Sequence, residues 1–145
     1  MEPLKLAALD AEDLDTISAL LQDAVATVGE IDYQSRERRF AMVLNRFDWV
    51  GATAPKPQYR RRRAGLRVHC VHHVGISGFA QGDTARVLNL LSIHFLPKEL
   101  PSGTILLVFS GDAAIRIDVE CIEAALEDLG PEWAAAHAPH HTTGT

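Results

Sequence analysis

Apolar residues recur at every second position in successive runs of this chain, and that period of two is the signature of sheet rather than helix. Ala24, Ala26 and Val28 alternate with Val25, Thr27 and Gly29, and Ile31 and Tyr33 follow. This reads as a strand in which Gly29 marks a bulge or bend. After a polar turn from Ser35 to Arg38, Phe40, Met42 and Leu44 alternate with Arg39, Ala41 and Val43, a second strand that ends near Phe47. Leu66, Val68 and Cys70 then share one face of a long extended segment, with His69, Val71 and His73 on the other. Val74 and Ile76 carry it on to Phe79, and Gly75 and Gly78 mark its kink or break. Val87 to Leu96 fits either period, but its β-branched and aromatic end favours a strand finishing at Pro97. Thr104 to Ser110 is a buried strand. Gly111 and Asp112 turn it into a returning strand from Ala114 to Ile117.

Helical spacing occurs at the two ends. Asp10 is placed to cap a helix, Glu12 and Asp13 suit the positive end of its dipole, and Leu14, Ile17, Leu20 and Leu21 form its stripe. It fades near Asp23 and Ala24. At the other end Asp118 caps a second helix whose core face is Val119, Ile122, Ala125, Leu126 and Leu129. Gly130 supplies the left-handed residue that ends it, and Pro131 prevents its continuation. Two prolines and a glycine make Gly51 to Gln58 a loop. The expected fold is α+β: six or seven mostly antiparallel strands in a bent sheet or small, partly open barrel, with an N-terminal helix and a C-terminal capping helix. No βαβ alternation appears, so a parallel doubly wound sheet is not expected. In element order alone, this resembles the pleckstrin-homology-like architecture.

A length of 145 residues fits one domain. We place that domain at residues 1–136 and a frayed tail, with His137, His140 and His141, at 137–145. Hydrophobic residues at 47% and charged residues at 23% exclude a collagen-like or wholly disordered chain. Two cysteines make no disulfide framework. The acid at Glu2, with no apolar core behind it, is unlike a secretory signal, and no run approaches the ~20 apolar residues of a membrane span. A cytoplasmic protein with reduced thiols and no membrane partner is therefore expected.

Three stretches carry a family resemblance. They are Leu4-Lys5-Leu6 with Ala8-Leu9-Asp10-Ala11-Glu12-Asp13-Leu14, then Arg38-Arg39-Phe40-Ala41 with Leu44-Asn45-Arg46-Phe47, then Val119-Glu120-Cys121-Ile122-Glu123-Ala124. With Asp128-Leu129-Gly130-Pro131 they resemble a bacterial family, domain of unknown function 2948, over about Leu4 to Trp133. The resemblance implies a single cytoplasmic domain and no particular chemistry.

Two clusters invite functional readings. In His69-Cys70-Val71-His72-His73, strand geometry puts His69 and His73 on one face and Cys70 and His72 on the other. A tetrahedral metal needs further ligands, and Cys121 completes such a set only if it lies over that strand. Cys121 at a helix start is open to thiolate chemistry with a strand histidine as base, a small thiol- or metal-dependent enzyme. Its place beside the apolar stripe favours an inert thiol. No catalytic residue, metal ligand or cofactor is assigned.

The second cluster is basic. Arg36, Arg38, Arg39, Arg46, Lys56, Arg60, Arg61, Arg62, Arg63 and Arg67 are ten of the chain's fourteen basic residues, against Glu37 and Asp48 alone. The segment carries +8 and the remainder −13, which together make the chain's −5. Arginine's planar fork suits carboxylate and phosphate, and Tyr59 and Trp49 are placed to stack on bases or guanidinium groups. The leading expectation is a binding or adaptor module that meets an acidic protein through these arginines and Tyr59. RNA or other nucleic acid is the alternative. Two structural readings compete: an edge strand protected by Arg60 to Arg63, or pairing with the chain's own acids, internally or across a homodimer.

Overall fold

The computed structural model describes residues 3–131, 133–135 and 139. Strand β1 (Lys5–Ala8) leads into helix α1 (Ala11–Leu20), then β2 (Val25–Gln34), β3 (Arg39–Phe47), a single turn of helix α2 (Trp49–Ala52) and β4 (Arg60–Val68). The chain continues through β5 (Val71–Ser77), β6 (Val87–Pro97), β7 (Gly103–Phe109), β8 (Ala113–Val119), β9 (Ala124–Asp128) and β10 (Trp133–Ala134). All pairings are antiparallel, in the order β1-β9-β4-β3-β2-β6-β7-β8-β5, with β10 continuing along β4 beyond β9. Among the described residues this is a ten-stranded sheet that does not close. It curls far enough for the amide of Val71 to reach the carbonyl of Arg38 at 3.0 Å, which brings edge strand β5 against the β2–β3 turn. No helix among the described residues is long and apolar enough to cross a membrane.

The alternation of the sequence is the alternation of the sheet. Ala24, Ala26 and Val28 face inward, as do Phe40, Met42 and Leu44. Register aligns them in tiers across β3, β4 and β9: Phe40 beside Val68 and Ala124, Met42 beside Leu66 and Leu126, Leu44 beside Ala64 and Asp128. Helix α1 starts as its sequence directs. Asp10 accepts from the Asp13 amide at 2.8 Å, and Leu14, Ile17 and Leu21 are buried. Gly29 falls where β2 slips register against β3. Gly111 (φ 75°) and Asp112 (φ 59°) take the two left-handed positions of the β7–β8 hairpin.

Several expectations are corrected. The closing C-terminal helix does not form: residues 119–129 end β8, turn, and make β9. Val119, Ile122, Ala124, Leu126 and Asp128 are buried, Ala125 is half-buried, and Leu129 is 52% exposed. That is a period of two, imposed because β9 is the strand between β1 and β4 and supplies ladder bonds to both. Asp118 caps nothing. It lies in β8 and accepts from the Thr104 hydroxyl at 2.6 Å. Gly130 is not left-handed. The extended segment breaks at Cys70, with φ 57°, while Gly75 lies within β5 and Gly78 (φ 79°) follows its end. Arg60 to Arg63 do not protect an edge, since β4 has β3 on one side and β9 and β10 on the other. Gly51 and Ala52 belong to α2 rather than to the loop. Strands β1 and β10 had no sequence signal. Of the tail at 137–145, only Pro139 lies within the described residues.

Leu126 is fully buried in the middle of β9. Replacing it by alanine removes methyl groups and leaves a cavity between β1 and β4. The expected cost is about 2–5 kcal/mol, measured by chemical denaturation.

Candidate functional site

The arginine segment occupies β3, β4 and the turns at either end, and the fold divides it into three groups. The first is internal. Arg46 and Arg62 are cross-strand partners on the inner face, two places beyond Leu44 and Ala64. Arg46 grips Asp128 with both arms of its fork, Nε to Oδ1 at 2.7 Å and Nη2 to Oδ2 at 2.8 Å. Arg62 Nη1 stands 3.6 Å from Oδ2. The amide of Leu4 donates to the same oxygen at 2.7 Å, and the amide of Asp128 donates back to the Leu4 carbonyl at 2.9 Å. Burial opposes ionisation of Asp128, but the Arg46 hydrogen bonds, the Leu4 amide and the charges of both arginines outweigh it. Its carboxyl is held below the ordinary carboxylate value.

The second group is exposed and paired within the chain. Arg63 meets Glu30, Arg67 Nη2 lies 3.5 Å from Glu127, and Arg38 Nη2 lies 3.2 Å from Glu120. Arg39 donates to the Gln34 side chain. Exposed ion pairs of this kind stabilise little, but they occupy the guanidinium groups.

The third group consists of Arg36, in the β2–β3 turn, and Arg60 and Arg61 at the start of β4. No carboxylate among the described residues forms a salt bridge with any of the three. Arg61 opposes Phe47 on one side and Trp133 on the other, so all three side chains leave the same face of the sheet. Its guanidinium carbon lies 5.7 Å from the Phe47 ring centroid, and Nη1 donates to the Asn45 carbonyl at 3.2 Å. Burial lowers the Arg61 pKa, opposed by the charge of Asp23. Trp49 packs edge-on against Phe47 at 4.7 Å and donates its indole N–H to Gln22 at 2.9 Å. Tyr59 sits on the same ring at 6.2 Å. At this end of the β3–β4 hairpin Tyr59 (39%) and Trp133 (41%) are exposed, and so is Val50 (69%) in α2. Trp133 went unnoticed in the sequence because β10 is two residues long and follows a proline. Asp128 went unnoticed because a carboxylate reads as surface, although it keeps step with Ala124 and Leu126.

The histidine–cysteine segment does not assemble a metal centre. The left-handed turn at Cys70 breaks the alternation that would set Cys70 and His72 on one face. His72 Nδ1 faces Arg38 at 3.3 Å, and His73 Nδ1 lies 3.7 Å from Asp118. The hydroxyl of Thr104, with Lys98, Arg116 and His73, lowers the Asp118 pKa against a smaller effect of burial. Among the described residues, no group of three or more His, Cys, Asp or Glu side chains is placed to hold a metal ion. Cys121 lies in the β8–β9 turn, not at a helix start, so no helix dipole acts on it.

These features define an open, curled antiparallel sheet with a buried arginine–carboxylate centre and an aromatic–arginine surface at one end. The chain belongs to the family described as protein of unknown function (DUF2948), whose model matches residues 4–141. No curated protein and no solved structure matches it.

Asp128→Asn removes the carboxylate that Arg46 grips in the interior. The expected loss is about 3–5 kcal/mol in denaturant unfolding. Because the folded pKa of Asp128 is depressed, its contribution is complete above about pH 4 and is lost as pH falls through the folded value. Acid titration of the wild type should show that loss, and the asparagine variant should lack it.

Proposed function

We propose that this protein is a binding module whose contact surface is the Tyr59–Arg61–Trp133 end of the β3–β4 hairpin, and that its partner is an acidic protein segment. The observation that carries the reading is the composition and exposure of that patch. Tyrosine, tryptophan and arginine are the residues on which protein interfaces concentrate their energy, and here an arginine stands between the exposed Trp133 and the buried ring of Phe47, against which the exposed Tyr59 also packs. Arg60 and Lys56 lie close to it in sequence, and Arg61 itself gives the patch a cation within a chain of net charge −5. An acidic partner is thereby attracted to this end and repelled by the rest, which orients the encounter.

Nucleic acid fits less well. Phosphate binding wants a continuous basic stripe, and pairing of Arg38, Arg63 and Arg67 with the chain's own acids interrupts it. The remaining cations sit at opposite ends of the β3–β4 pair: Arg36 and Arg39 at one, Arg60 and Arg61 at the other. Within this proposal the pleckstrin-homology-like comparison is kept only for the bent antiparallel sheet, because β9 replaces its closing helix.

The test is capture from lysate by wild-type protein and by variants. Arg61→Gln and Trp133→Ala should each weaken retention of the partner, by about thirtyfold in Kd once it is purified. Arg36→Gln should leave it unchanged. Full retention by the double variant overturns the reading, and retention abolished by ribonuclease transfers the site to nucleic acid.

A further inference from the structure

Cys70 sits between β4 and β5 with φ 57°, a conformation that a residue with a side chain keeps only where its surroundings hold it. Two backbone bonds do so. The amide of His69 donates to the Glu123 carbonyl at 2.8 Å, and the amide of Glu120 donates to the Cys70 carbonyl at 2.9 Å. They clamp this corner onto the β8–β9 turn, and Cys121 is in that turn. The side chains meet there as well. Cys70 Sγ donates to Glu123 Oε2 at 3.2 Å, and the Cys121 side chain is near enough to act on the Cys70 thiol. Both thiols are partly exposed. Two thiols far apart in sequence are thus brought side by side at the surface.

We propose that Cys70 and Cys121 are a redox couple that closes to an intramolecular disulfide when it meets low-molecular-mass disulfides, and that Glu123 makes Cys121 the first thiol to react. The carboxylate beside Cys70 opposes a second negative charge at its sulfur. Together with burial and the neighbouring Cys121, it pushes the Cys70 thiol up to about 12. Cys70 is therefore a protonated, poor nucleophile, and among the described residues no carboxylate accepts a hydrogen bond from Cys121. In the first step the Cys121 thiolate attacks one sulfur of the small disulfide and expels its other half as a thiolate, which takes up the proton Cys121 has lost. In the second, Cys70 loses its proton to solvent and attacks the Cys121 sulfur, expelling the second half. The two protein thiols give up two electrons and two protons, and one small disulfide becomes two thiols.

The experiment incubates the full chain with glutathione disulfide near neutral pH and maps thiols by mass spectrometry. Wild type should yield a Cys70–Cys121 linkage within one chain. Cys70→Ser should accumulate a mixed disulfide on Cys121, and Cys121→Ser should leave Cys70 largely unmodified. Glu123 is exposed, so Glu123→Gln should fold normally. It should alkylate at Cys70 about tenfold faster with iodoacetamide, since each unit of lowered pKa multiplies the thiolate tenfold. A first adduct on Cys70, or linkage only between chains, overturns the proposal, as does no linkage at excess oxidant.

Discussion

One carboxylate organises the inner face of this sheet. Asp128 accepts from Arg46, faces Arg62 and receives the amide of Leu4, so a single side chain joins β9, β3, β4 and the segment leading into β1. Such a group is costly to bury alone and costly to leave half-paired. The cost is offset by bidentate geometry and by a backbone donor, and the arrangement tolerates little displacement. It also settles the register of β9. A shift by one residue would carry Asp128 to the outer face and bring Glu127 or Leu129 inward, and the bidentate grip of Arg46 on Asp128 would be lost.

The same ion pair explains what the sequence conceals. Strands β2, β3 and β7 are legible because apolar residues dominate their inward sets, as Phe40, Met42 and Leu44 do in β3 ahead of Arg46. In β9 the inward set is Ala124, Leu126 and Asp128, and the charged third member masks the alternation. The segment also satisfies a helical stripe, and alanine, leucine and glutamate are good helix formers. Only a sheet with a vacant place between β1 and β4 decides the matter, and that information is not local. The hidden arginines pose the reverse problem. Arg62 lies in a run of four identical residues, and nothing within Arg60 to Arg63 says which one points inward until Ala64, Leu66 and Val68 set the phase.

Charge that is segregated along the chain is partly recombined in space. Glu30, Glu120, Glu127 and Asp128 come from outside the basic segment and meet Arg63, Arg38, Arg67 and Arg46. The aromatic end of the β3–β4 hairpin lies beyond this pairing, so the patch there owes its sign to position rather than to the total charge of the segment. At the opposite end of those strands the fold gathers a different chemistry, two thiols and a carboxylate held by crossing turns.

The pairing of β1 with β9 also shapes how the molecule is made. Leu4 and Asp128, which bond each other twice, are 124 residues apart. As the chain leaves the ribosome, β1 has no partner and β4 has an open side until nearly all the rest has emerged. Loop closure over that distance carries an entropic cost before any contact offsets it, which makes completion of the sheet a late event. During synthesis the strands already formed expose backbone groups that are safe only while the chain stays dilute or attended. Strand β9, among the last to appear, is thus the one that gives β1 its partner and covers the open side of β4.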